Sequence, residues 1–222
     1  MKRLWLVAVT LAATSVAHAQ VSPYYYPGAY PGPGMHPGMA APRPMAPLPD
    51  FAATAPDQIL RSGLDRLQGF LARGGTADAD EVSAFLDHEI SPFFDFAYMA
   101  RWAGGPFYAQ MSEEQRTQFA DKIKTLFFAA LARNLGAYSD PAPLVEVSHA
   151  RPRGYGREVD VTARVIPQGQ GAVPVRLDFR FYPSRSGWKI FDVTANGTSA
   201  VAYYRSYFRE VARRGSIEAC CR

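Results

Sequence analysis

Cysteine is almost missing: the 222-residue chain has two, Cys220 and Cys221, side by side at its C-terminus. Neighbouring cysteines at a chain end cannot staple a fold and could close only a strained ring. The pair is either a loose tail or, in an oxidising compartment, a point of intermolecular pairing. Histidine is scarce too, with four. His18 and His36 fall in segments expected to lie outside the folded domain. His88 and His149 lack a Cys or paired carboxylate at ligand spacing, so no metal site is read. The chain has no nucleophile elbow, phosphate-binding glycine loop or dinucleotide fingerprint, and Gly104-Gly105 precedes Pro106 rather than a helix N-terminus. No catalytic signature and no cofactor are expected. Charge of one sign is not in excess: 24 basic against 20 acidic residues give +4. Such a balance offers nothing to nucleic acid.

Long apolar runs are absent as well. Lys2 and Arg3 precede the apolar stretch Leu4 to Ala13, and Ala17-His18-Ala19 supplies the small residues a signal peptidase reads. The stretch is too short for a comfortable membrane span, and no Cys follows it to carry a lipid anchor. Residues 1–19 are therefore expected to be a signal peptide cleaved after Ala19, leaving a soluble, exported protein. Its loss removes Lys2 and Arg3 and no acid, so 22 basic against 20 acidic residues remain, or +2.

Proline, by contrast, is concentrated. Residues 21–56 hold ten of the 18 prolines, with four glycines and only two charges, Arg43 and Asp50. No helix or sheet survives that density. Residues 20–56 are expected to be a disordered Pro/Gly/Tyr-rich spacer with polyproline character, or else a sticky arm for a partner.

Regular patterning starts near Asp57. Ile59, Leu60, Leu64, Leu67, Phe70 and Leu71 recur at helical spacing up to Gly74-Gly75. A second helix is expected from Asp78 to Ile90, capped by Thr76, with an aromatic segment at 93–99 behind Pro92. Ser112 and Gln115 form a capping box that opens the longest helix, with Phe119, Ile123, Phe127 and Leu131 on its apolar stripe. After Pro143 the period switches to two, in 144–148, 157–166, 172–182 and 188–194, with turn-like joints between. A last amphipathic helix spans 199–214. These patterns predict an α+β fold: helices packed on a curved antiparallel sheet of four or slightly more strands, enclosing an apolar pocket.

Candidate acids are few. Asp160 and Asp178 oppose the apolar face of their strands beside arginines, which predicts solvated cross-strand pairs; Asp192 stays ambiguous. Asn196-Gly197-Thr198 fits a glycosylation acceptor but is read as a turn.

Two blocks carry a family likeness. One runs from Phe94-Asp95-Phe96 through Met99-Ala100 to Glu114-Gln115-Arg116, the other from Trp188-Lys189-Ile190-Phe191-Asp192-Val193 through Ser199 to Tyr204-Arg205-Ser206. Their order and spacing resemble the MlaC, or toluene-tolerance auxiliary, family of periplasmic phospholipid-binding proteins, over residues 57–218, with 219–222 left as a tail. Gly105-Pro106-Phe107-Tyr108 stands where the family usually has Gly, two residues and Trp, and Tyr203 where Asn commonly precedes Tyr-Arg.

The resemblance implies a carrier, not an enzyme, that shuttles phospholipid between an outer-membrane lipoprotein complex and an inner-membrane Mla-type ABC transporter complex. It implies that Val161, Ala163, Val175, Leu177, Phe179, Trp188 and Ile190 of the sheet, with Phe94, Met99, Phe127, Leu131, Val201 and Tyr204 of the helices, are candidates to wall a lipid pocket. Any of them could instead be plain core. Arg205 is placed either at the pocket mouth or in a salt bridge within the fold. Two rivals stay open: a small cavity enzyme of the cone-shaped α+β type with an inward Asp or His, and an envelope interaction protein working through the Pro/Tyr arm.

Overall fold

A computed structural model describes residues 54–75, 78–135, 143–153, 157–168 and 173–214. The leader, nearly all of the Pro/Tyr segment, Thr76 and the Cys220-Cys221 pair lie outside the described residues.

Helix α1 (Pro56–Ala72) has proline in its first turn, where the missing N–H is no loss, and ends before Gly74, whose φ of 76° suits only glycine well. Helix α2 (Ala79–Phe85) is capped by Asp78, whose carboxylate accepts from the Asp80 N–H at 2.8 Å. The expected single helix to Ile90 is bent: a π turn (Leu86–Ile90) and a 3₁₀ turn (Ser91–Phe93) follow, and Pro92 bars further α-helix. Helix α3 (Phe96–Gly104) is capped by Asp95 through the Tyr98 N–H at 2.8 Å. Helix α4 (Glu113–Leu135) opens on the capping box in full: Ser112 N–H donates to Gln115 Oε1 at 2.9 Å, and Gln115 N–H donates to Ser112 Oγ at 3.2 Å. Helix α5 (Ala200–Arg214) closes the described chain.

Among the described residues the strands are β1 (Leu144–Val147), β2 (Arg151–Arg153), β3 (Glu158–Ile166), β4 (Val175–Ser184), β5 (Gly187–Ala195) and β6 (Thr198–Ser199). They pair antiparallel in the order β1-β3-β4-β5-β6, with β2 alongside the start of β3. The expected meander is there, widened by two short strands. β2 falls in the expected turn-like segment 151–156, since Arg151, Pro152 and Arg153 carry no apolar alternation, and all three are exposed. Asn196 and Gly197, with φ of 50° and 84°, form the tight turn from β5 to β6.

The inner face of the sheet is apolar: Val159, Val161, Ala163 and Val165 sit opposite Phe181, Phe179, Leu177 and Val175. The outer face is polar. Thr162 Oγ1 donates to Asp178 at 2.6 Å beside Arg176, and Arg153 pairs with Asp160 at 2.9 Å. Asp192 is the exception, fully buried where Phe191 forms a bulge opposite Arg180/Phe181.

Helix α1 runs antiparallel to β1 and caps its outer edge. Arg61 Nη2 donates to the Val147 carbonyl at 2.6 Å, and Gln68 Nε2 to the Pro143 carbonyl at 3.3 Å. Two cores result. One joins Met99, Phe119, Ile123, Tyr204 and Phe208 among the helices; the other joins Leu60 of α1 to Val161, Phe179, Phe181 and Ile190 of the sheet. Phe94 packs against both.

Candidate functional site

Between the two cores the packing is left open. A cavity of about 210 Å³ runs beneath β4 and β5. For scale, an engineered apolar cavity of about 150 Å³ stays dry and takes up benzene.

Its floor is Val175, Leu177 and Phe179 of β4 with Ile190, Val193 and Ala195 of β5. The bulge at Phe191 puts Ile190 and Val193 on the same face although they are three residues apart. One wall is α1, through Ile59, Leu60, Gly63, Leu64 and Leu67; Gly63 leaves room against the Phe93 ring, which a Cβ would meet at 3.5 Å. The opposite wall is α4 and α5, through Phe127, Leu131, Asn134, Tyr203 and Tyr204. Phe93 and Phe94 close one end, with the Phe94 ring held 5.2 Å from Phe127 and 5.5 Å from Phe96.

The cavity has a long axis along the strands. From Val175 to Phe179 is four residues, about 13 Å at strand rise. From Phe127 to Asn134 is seven residues, about 10 Å at helix rise. One end is wholly apolar (Phe94, Phe127, Ile190); the other carries Asn134, Thr198, Tyr203 and Tyr204. No Asp, Glu, His or Cys lines it among the described residues, so the acid that a cavity enzyme would need is not found in the wall.

Eight of the residues singled out from sequence line this space: Phe94, Phe127, Leu131, Val175, Leu177, Phe179, Ile190 and Tyr204. Five do not. Val161 and Ala163 face the right way but are fully buried under α1, with Ile59, Leu60 and Leu64 packed on the same cluster. Trp188 sits opposite Pro183, farther toward the β4–β5 hairpin. Met99 and Val201 are buried in the helical core. The whole α1 wall was missed, although its apolar stripe, with Gly63 among it, was visible. Nothing local says that a stripe borders a void.

Asp192 is a structural acid. Its carboxylate accepts from Ser199 Oγ at 2.7 Å and from the Val201 N–H at 3.1 Å, and Arg180 Nη1 stands 3.5 Å away. Arg205 is at neither place foreseen for it: it donates to the Trp102 carbonyl from Nε at 3.1 Å and Nη2 at 2.6 Å, tying α5 to the end of α3. It borders a second, smaller hollow of about 50 Å³ with Phe107, Phe119 and Phe208. Tyr182 donates to Asp95 and stacks on Tyr98 at 3.9 Å; burial first, then that hydrogen bond, push its phenol well above the usual range. Burial does the same to Tyr204. Among the described residues, no helix is long and apolar enough to cross a membrane, and no cluster of His, Cys, Asp and Glu could hold a metal ion.

A protein of known structure shares this fold. The phospholipid-binding protein from Ralstonia solanacearum, solved with a phospholipid bound, superposes with a TM-score of 0.65 at 25% identity, over 76% of this chain and 93% of that one. No curated protein matches the chain. The family model described as MlaC protein matches residues 65–222, most of the chain and all of its described elements except the start of α1, and so the chain belongs to the MlaC family.

Proposed function

We propose that this protein is a periplasmic phospholipid carrier that takes lipid from one membrane complex and yields it to another, and that it catalyses no reaction. The observation that carries the reading is the cavity of about 210 Å³ with an almost wholly apolar wall, in a fold similar to that of a protein solved with phospholipid. An acyl chain crossing water must be hidden, at roughly 0.8 kcal/mol per buried methylene. A space walled by leucine, valine and phenylalanine does this without any reactive group. Family membership supports the further expectation that the donors and acceptors are an outer-membrane lipoprotein complex and an inner-membrane Mla-type ABC transporter complex. The leader pattern of residues 1–19 supports export and cleavage after Ala19.

Native mass spectrometry of protein purified from the periplasm, followed by lipid extraction, tests the reading. A diacyl phospholipid at near-stoichiometric level is expected. A bare protein mass that also takes up no lipid from vesicles would overturn it. In the same preparation an N-terminus at Gln20 is expected, and an intact leader would overturn the export reading. Protein lacking residues 21–56 is expected to keep its lipid; loss of a partner with lipid binding intact would move the emphasis to the arm.

A further inference from the structure

The cavity wall carries a tyrosine hydroxyl for which the described residues offer no acceptor. Tyr204 is 4% exposed, its ring packs 5.4 Å from Tyr203 and 6.4 Å from Phe208, and it lines the cavity wall. Its hydroxyl donates to no described residue. A hydroxyl that borders an apolar cavity and has no acceptor in the fold is left to water or to an oxygen of whatever fills the space. Tyr182, which is only half-buried, by contrast has Asp95 as its acceptor.

The other polar wall groups gather at the same end. Asn134 is one residue from the end of α4 and spends one amide hydrogen on the Ala130 carbonyl at 2.7 Å, with a second to give. Tyr203 adjoins Tyr204, and Thr198 lies in β6 just before α5. Tyr204, Tyr203 and Asn134 are all donors, and the far end, some 10–13 Å away by helix and strand rise, has none. A ligand matched to this wall is a long apolar body ending in acceptor oxygens.

We infer that the Tyr204 hydroxyl donates to an acyl ester carbonyl of the bound lipid, which makes it the residue that selects ester-linked over ether-linked chains and sets how deep the chains sit. The inference rests on the phospholipid-carrier reading. A carbonyl oxygen accepts well, whereas a dialkyl ether oxygen is a poorer and more crowded acceptor. In this register the acyl tails run from Tyr204 toward Phe94, Phe127 and Ile190, and the headgroup stays on the side of Asn134 and Thr198.

The test compares two probes that differ only in that linkage, a diester phosphatidylglycerol and its dialkyl ether counterpart, by displacement of a fluorescent phospholipid from the delipidated protein. The wild type is expected to prefer the diester by about three- to tenfold, one neutral hydrogen bond. Tyr204→Phe, which keeps the ring and its packing, is expected to bring the ratio close to one. Equal affinity for both probes in the wild type overturns the inference while leaving the carrier reading intact; it would mean that water satisfies the hydroxyl. An unchanged preference in Tyr204→Phe overturns it too, by moving selection elsewhere. Binding of neither probe overturns both readings. The wild-type ratio needs no variant, so the inference stays open to refutation even if Tyr204→Phe fails to fold.

Discussion

Asp192 accepts the Val201 backbone N–H at 3.1 Å, so a side chain of β5 closes the first turn of α5 across the β5–β6 hairpin. Ser199 completes the junction: it donates to Asp192 at 2.7 Å and accepts from the Ala202 N–H at 3.1 Å. Asp192→Ala would strand a buried N–H and leave Arg180 with Glu158, its partner at 2.8 Å. A loss of about 2–4 kcal/mol in urea unfolding is expected, with Asp192→Asn costing less because an acceptor is kept. A loss below about 0.5 kcal/mol, the level of an ordinary surface change, would show that the junction is not what holds α5.

The stacked pair Tyr98 and Tyr182 gives an alkaline prediction. The Tyr182 phenol is raised by burial and by its bond to Asp95, and the Tyr204 phenol chiefly by burial. A group raised on folding contributes stability in full below its unfolded value of about 10 and loses it as pH climbs toward the folded value. Stability should therefore fall as pH rises above about 10, and ultraviolet titration should show two tyrosines ionising only with unfolding. Tyr182→Phe should leave one late tyrosine and lower stability at neutral pH by about 1.5–3 kcal/mol, the range for a bond to a charged group.

Acid acts through Asp178. Partial burial raises its carboxyl, but hydrogen bonds from Arg176 and Thr162 outweigh this and hold it below the usual value. The stabilisation is present above the unfolded value of about 4 and disappears as pH falls through the folded one. Because Arg176 is largely exposed, the effect is small and sensitive to salt. Asp178→Asn should flatten the stability profile below pH 4 at low salt, and the difference should shrink at about 1 M salt. Identical profiles for the two proteins would refute it.

Leu177 stands in the cavity floor beside Ala195, only half-buried although apolar. Leu177→Trp puts a large ring into that space. Copurifying lipid should drop at least about tenfold while the fold survives, at a cost of roughly 1–3 kcal/mol if the ring does not fit fully. Lipid retained at the wild-type level would place the cargo elsewhere, the hollow beside Phe107 being the next place to look.

Local signals were legible in the sequence. Ser112 and Gln115 are three residues apart and satisfy each other, so the start of α4 needs no tertiary knowledge. Strand parity placed Asp160 and Asp178 outside and Leu177 and Phe179 inside. Parity failed at Phe191, because a bulge is decided by the pairing of β5 with β4 and not by either strand alone; this is why Val193 was missed and Asp192 stayed ambiguous. Arg151–Arg153 carries Pro152 and no alternation, and is a strand only because β3 offers it an edge. The hardest distinction was between core and cavity wall. Val161 and Leu177 look alike in sequence and share a sheet face, and only the position of α1 buries one and leaves the other beside a void.

The carbonyls of Val147 and Pro143, which an edge strand would normally offer to water, are held by Arg61 and Gln68 of α1. The same helix supplies a wall of the cavity. Lifting α1 from the sheet would therefore bare that border along with the cavity. A bare strand edge is a template for pairing with another chain, so α1 in its place also guards the protein against its own copies.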